Sequence, residues 1–297
     1  MQVQRFLASA WATVHGPSEP RALLVSLLEN GFAGLGVSPG PRAVDWSAVT
    51  AAAADLPVRF AAVRAAGPLL ERASLSGFAS DSDGERQVAR RAIGDAVQTA
   101  RLLGVPQVVL DVGVVPVVGE IEAEDLGDPA YGWTEQRAQA LCARRKVGRD
   151  AAVDRTCRGL FDVLKSFPDM SFSLTQGRSL RSVLDVRAMQ DVCEDLGHRG
   201  VGYWHDAAIC ARREQVLGEP QGEWLEVFGN RLCGMTLGDA SPEGLYLPPG
   251  AGGVDYGLCA TYVPHTGAAF PVVLELDPSV PPGEMAGMRS CLDKYGF

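Results

Sequence analysis

Short apolar runs alternate along this chain with longer stretches in which apolar residues recur at helical spacing. "RFLASAWATV" (5–14), "GLGVSP" (34–39) and "VRFAAVRA" (58–65) read as strands. "EPRALLVSLLENG" (19–31) and "DWSAVTAAAADLP" (45–57) read as helices, the first stopped by Gly31, the second opened by Asp45 as N-cap and stopped by Pro57. The clearest helix is "DGERQVARRAIGDAVQTARLLGV" (83–105), where Val88, Ile93, Val97, Ala100 and Leu103 fall near one face. "QVVLDVGVV" (107–115) is a nearly continuous apolar run, the pattern of a strand buried on both faces. After a loop over 116–133, a long helical stretch runs to about Phe167.

The second half keeps the rhythm. Strands are predicted at 170–176, 201–207, 232–239 and 271–277, and helices at 180–197, 222–230 and 283–296. Eight strand-then-helix units with no break in composition imply parallel pairing through right-handed crossovers. A single α/β domain over 1–297, closed as a (β/α)8 TIM barrel, fits that count. An open doubly wound sheet is the rival arrangement.

In such a barrel the chemistry sits at the carboxyl ends of the strands. Asp111 closes the fourth, Thr175-Gln176 the fifth, His205-Asp206 the sixth, Thr236 and Asp239 the seventh, and Glu275 the eighth. A post-strand Asp is most often an N-cap for the next helix. Four carboxylates on one rim would repel unless cations or protons are shared among them, or unless they point apart. Glu275, near the end of the apolar "PVVLELD" (271–277), should be desolvated and raised in pKa, which suits a general base or a metal ligand. Alternatively it is a buried Glu paired with an arginine. His205 and Asp206 should point to opposite sides, so an Asp206 facing the barrel leaves His205 under a helix. Arg178 and the Arg212-Arg213 pair lie beyond the fifth and sixth strands and are placed to hold an anionic substrate, or to be solvated surface.

Two loops stand out. "LPPGAGGVDYG" (247–257) fails as a dinucleotide fingerprint, because Asp255 stands where the third glycine belongs, and reads as a flexible loop over the rim. The 114–133 loop carries Glu120, Glu122, Glu124, Asp125 and Asp128. Its length suits a lid, while its acidic run reads first as solvated surface.

Charge and composition narrow the classes. A net charge of −9 weighs against a nucleic-acid partner. No apolar run is long enough to span a bilayer and no leader pattern opens the chain, so a soluble, cytoplasmic protein is expected. Seven dispersed cysteines without a CxxC pair read as reduced thiols. Four histidines, His15, His198, His205 and His265, leave little for an imidazole-rich metal site, and no zinc is expected.

Taken together, the strand ends resemble the sugar-phosphate isomerase/epimerase family, the xylose-isomerase-like barrels related to the family-two apurinic endonucleases. The stretches that carry the resemblance are "GFAGLGVSP" (31–39), "ARLLGVPQVVLDVG" (100–113), "VGYWHDAAI" (201–209), "LCGMTLGD" (232–239), "LPPGAGGVDY" (247–256) and "PVVLELD" (271–277). The resemblance implies a divalent-metal site in which Asp206 and Glu275 are retained. The family's strand-five Glu falls on Thr175 or Gln176, its strand-seven His on Thr236, and its strand-six companion His on Ile209. Its strand-four His becomes Asp111 and its strand-two Glu becomes Gly36. With the imidazoles gone, no resident cofactor is expected. Only an all-oxygen site helped by Asp111 and Asp239 would remain, suited to Mg²⁺ or Mn²⁺.

Two function classes follow. One is an enzyme that isomerises, epimerises or dehydrates a small hydroxylated carbonyl compound, a sugar or polyol derivative, without a metal. Glu275 would be its base and Asp206 the partner acid or orienting group, with Asp111, Gln176, Arg178, Thr236, Asp239 and Arg212 around the substrate. The other is an inactive barrel serving as a binding or assembly subunit. An endonuclease comes third, disfavoured by charge and by the lost ligands.

Overall fold

The computed structural model describes residues 3–65, 77–117, 124–197, 200–264 and 269–297. Glu120, Glu122, His198 and His265 lie outside the described residues.

Eight parallel strands close into a barrel: β1 (Val3–Ala8), β2 (Gly34–Val37), β3 (Arg59–Arg64), β4 (Gln107–Leu110), β5 (Ser171–Leu174), β6 (Gly202–Asp206), β7 (Leu232–Leu237) and β10 (Phe270–Leu274). Each pairs with its neighbour in chain order, and β1 closes on β10 with Phe6 opposite Val273. The remaining two strands, β8 (Asp239–Ser241) and β9 (Gly244–Leu247), form an antiparallel hairpin outside the barrel. The helices are α1 (Ser9–His15), α2 (Pro20–Glu29), α3 (Trp46–Ala53), α4 (Asp83–Leu102), α5 (Glu135–Ser166), α6 (Val186–Leu196), α7 (Ala207–Leu217), α8 (Glu223–Phe228), α9 (Tyr256–Thr261) and α10 (Met285–Tyr295). None of those among the described residues is long and apolar enough to cross a membrane.

Local chemistry sets most helix starts. Side chains of Glu19, Asp45, Ser82, Thr134, Asp185, Asp206 and Asp255 each accept a bond from a first-turn amide, satisfying donors a helix leaves orphaned. The main core lies between strands and helices. A smaller apolar cluster fills the barrel itself: Phe6, Ala8, Ala62, Val109, Trp204 and Val273. Gly234 gives Trp204 its space, since a β-carbon there would overlap the indole.

Three departures from the pattern have a clear local cause. The run at 5–14 is not one strand: it turns helical at Ser9, because Trp11 then enters the core and its indole donates to Val280 O at 2.8 Å. The helix expected from 180 begins only at Val186. Backbone groups of 181–183 are engaged by Val115, Gly113 and Arg145, so the chain stays out of the helix until Asp185 caps α6. The glycine-rich loop is fastened, not free: Asp239 accepts from Gly250 N at 2.9 Å and Val254 N at 3.0 Å.

Candidate active site

Strand alternation sorts the end of β6 into two faces. Trp204 and Asp206 turn into the barrel, while Tyr203 and His205 turn toward the helices. His205 is buried against Tyr203, whose hydroxyl lies 2.7 Å from Nδ1, and burial pushes its pKa down to about 3, so the ring is neutral. Gln176 belongs to this outer network. Its amide donates to the Tyr203 hydroxyl at 2.5 Å and to Cys210 Sγ, and its oxygen accepts from Asp206 N at 3.2 Å. Alternation therefore returns Thr175, and not Gln176, to the barrel side of β5.

Asp206 is completely buried and fully engaged. Oδ1 accepts from Ile209 N at 3.2 Å, capping α7. Oδ2 accepts from Arg64 Nη2 at 2.9 Å and from the Tyr246 hydroxyl at 2.9 Å. Arg64 is the last residue of β3, and its guanidinium lies within the fields of both Asp206 and Glu275. The two carboxylates thus share a protein cation, and their charges raise the pKa of that partly buried guanidinium against the desolvation that lowers it.

Glu275, one residue past β10, is 8% exposed. One hydroxyl, Ser38 Oγ, donates to its Oε1 at 3.1 Å. Burial raises its pKa to about 7. Arg64 opposes that shift and the charge of Asp206 adds to it. Below the mouth, the apolar filling of the barrel offers no solvation. The carboxyl is poised to gain or lose a proton near neutrality, the property a general base or acid needs.

Tyr246 comes from the β8–β9 hairpin, which folds back over the mouth. It has φ of +60°, unique among the described non-glycine residues. An L-residue holds that conformation only where its surroundings over-determine it. Here the hydroxyl is tied to Asp206 and the carbonyl accepts from Asp277 N at 2.9 Å. Gly238 makes the approach possible, because a β-carbon there would come within 2.5 Å of Glu275 O and 3.2 Å of Tyr246 Cα. Arg178 packs its guanidinium 5.7 Å from the Tyr246 ring and is held by Asp125 at 2.9–3.0 Å. Asp111 also faces Arg64. Burial pushes its carboxyl up, and the guanidinium draws it part of the way back.

Of the residues expected around the substrate, Glu275, Asp206, Asp111 and Arg178 gather at or beside this mouth. The other four do not present free groups to it. Thr236 Oγ1 accepts from Trp204 Nε1 at 2.9 Å. Gln176 serves the outer network. Asp239 spends both oxygens on the backbone of Ala240, Gly250 and Val254. Arg212 lies in the second turn of α7 and bonds Leu126 O at 3.1 Å. Within the 114–133 loop, Glu124 is buried against Arg181 and Ser179, so that acid is not solvated.

Arg64, Ser38 and Tyr246 escaped the sequence reading. The first two had a signal, since the rule applied to strands four to eight, taking the polar residue that closes each strand, also yields Ser38 and Arg64. Tyr246 had none.

The divalent metal implied by the resemblance does not fit these residues. Asp206 is saturated by donors, Thr236 is taken by the indole, Asp239 is turned into its loop, and a guanidinium lies 2.9 Å from the one retained aspartate. Among the described residues no three His, Cys, Asp or Glu side chains are grouped to hold a metal.

Fold and mouth together define an eight-stranded α/β barrel with a buried carboxyl pair around an arginine. More particularly, it is the fold of several solved sugar epimerases. A D-tagatose 3-epimerase-like protein superposes with a TM-score of 0.69 at 14% identity, over 99% of this chain and 97% of that one. The 3-keto-D-glucoside 4-epimerase of E. coli gives 0.66 at 11%, over 99% and 100%. A family 2 AP endonuclease from Brucella melitensis gives 0.60 at 12%, over 97% of each chain. No family model and no curated protein sequence matches the chain.

Proposed function

We propose that this protein moves a proton on a small hydroxylated carbonyl compound, a sugar or polyol derivative, by acid/base chemistry that uses no bound metal. Isomerisation, epimerisation and dehydration all begin with the same step. The observation that carries the reading is the contrast at the mouth: Glu275 buried with a pKa near 7, beside an Asp206 neutralised by Arg64 and Tyr246. The Glu275 carboxylate takes the proton from the carbon next to the carbonyl. The C–H electrons form the new C=C bond, and the carbonyl electrons move onto oxygen. Arg64, whose guanidinium has N–H groups beyond the one bonded to Asp206, supplies a fixed positive charge at the place where that oxyanion would develop, while the Tyr246 hydroxyl keeps its hydrogen on Asp206. In an isomerisation protonated Glu275 returns the proton to the former carbonyl carbon, while the hydroxyl proton on the neighbouring carbon passes to the oxyanion, so that the old hydroxyl becomes the carbonyl and the old carbonyl the hydroxyl. Epimerisation needs a second proton carrier on the opposite face, for which Asp111, raised by burial, is available.

One observation favours the second reading, a binding subunit. The Arg64–Asp206–Tyr246 cluster satisfies itself without a ligand and plugs the mouth. The test is solvent deuterium wash-in at the carbon beside the carbonyl, followed by NMR over a panel of ketoses and aldoses. Turnover should rise with pH through about 7 and fall at least ~100-fold in Glu275→Gln, with substrate affinity little changed. Binding without wash-in, equal in both forms, would establish the binding subunit instead.

A further inference from the structure

Four arginines among the described residues are buried: Arg145, Arg181, Arg212 and Arg213. Three of them have a carboxylate at hand. Arg145 meets Asp185 at 2.6 Å, Arg181 meets Glu124 at 3.2 Å, and Arg213 meets Glu219 at 2.7 Å. That is the usual condition for taking a guanidinium out of water. Arg212 is the exception. It is 5% exposed, and its partners are neutral, Leu126 O at 3.1 Å and Gln215 Oε1 at 3.0 Å. Burial lowers its pKa from the ordinary arginine value, and the charge of Glu243 opposes that shift.

Arg212 borders a cavity of about 650 Å³ on the outer wall, between the start of α5 and the later turns of α7. None of the mouth residues Glu275, Asp206, Arg64 or Tyr246 lines it. Trp133 forms one wall, with Tyr131 packed on its indole at 4.4 Å. The opening turn of the 32-residue α5 also lies on the cavity. There Thr134 caps the Arg137 amide, and the positive end of the helix adds to the arginine's field. One acid, Glu135, shares the lining, and its Oε1 is bonded by Gln139 at 2.9 Å.

We infer that this cavity is a binding site, separate from the barrel mouth, for the phosphate or carboxylate group of a small metabolite, with Arg212 supplying the missing charge pair and Trp133 a flat wall for the rest of the molecule. An anion there would give Arg212 the partner its three counterparts already have. The volume is that of a small-molecule site.

Inorganic phosphate and acetate serve as probes, titrated by calorimetry and by tryptophan fluorescence. Wild type should bind one of them saturably at one site, with a fluorescence change that disappears in Trp133→Phe. Arg212→Gln should weaken that binding at least ~10-fold, the worth of a charge-assisted hydrogen bond. Gln139→Lys, at an exposed position that does not threaten the fold, should tighten it. Arg178→Gln, at the mouth, should leave it unchanged. Failure of both probes to saturate overturns the inference. So does equal affinity in Arg212→Gln and in Gln139→Lys. Loss of binding in Arg178→Gln alone would place the anion at the mouth and also overturn it. Deuterium wash-in at the mouth is a separate readout, so either conclusion can fail without the other.

Discussion

The two carboxylates at the mouth stand on strands separated only by β7, yet their surroundings are opposite. Asp206 accepts from a backbone amide, a guanidinium and a phenol. Glu275 has one serine hydroxyl and a buried setting. The same functional group is ringed by donors in one place and pushed toward the neutral acid in the other, where donors are withheld. That division lets two acids occupy one low-dielectric mouth, the first paired with Arg64 and the second raised by burial.

The sharpest way to break the contrast is to remove the cation. Arg64→Met leaves Asp206 buried with its countercharge gone, which should cost about 3 kcal/mol of stability by denaturant titration. The double variant Arg64→Met/Asp206→Asn should recover most of that loss. Equal stability of Arg64→Met and wild type would mean that the ion pair does not hold Asp206.

A second effect, confined to higher pH, concerns Glu275. Its folded pKa of about 7 lies above the ordinary 4.5, so between those values the folded state binds more protons than the unfolded state. Stability contributed by the protonated carboxyl is therefore full below about 4.5, declines as pH rises through 7, and is flat above. Glu275→Gln should remove that decline, gaining about 3 kcal/mol at pH ~8 and little at pH ~5. Melting curves at the two pH values check it. A parallel offset at both would show that Glu275 ionises normally.

Ser38→Ala is the finest probe. It deletes the donor that lowers the Glu275 pKa, so the pH midpoint of wash-in should move upward by less than ~1 unit. A downward move would show that Ser38 stabilises the neutral acid instead.

What the sequence could determine was whatever local pattern controls. Alternating apolar runs and helical stretches set the eight barrel strands and seven of the ten helices among the described residues, Asp45 marked a helix start, and strand parity put Asp206 inward and His205 outward. Glu275 was legible as a desolvated acid because the apolar run that announces its burial is its own strand. The partners were not legible, because they are brought in across the barrel. Arg64 reaches Asp206 over 142 positions of chain, and Tyr246 over 40. Tyr246 depends on a hairpin that the pattern did not announce and on the missing β-carbon of Gly238. Arg212 looked like a rim residue because it follows the sixth strand closely. But α7 begins at Ala207, and a rise of 1.5 Å per residue carries Arg212 down the outer wall, where only the packed α5 decides what it faces.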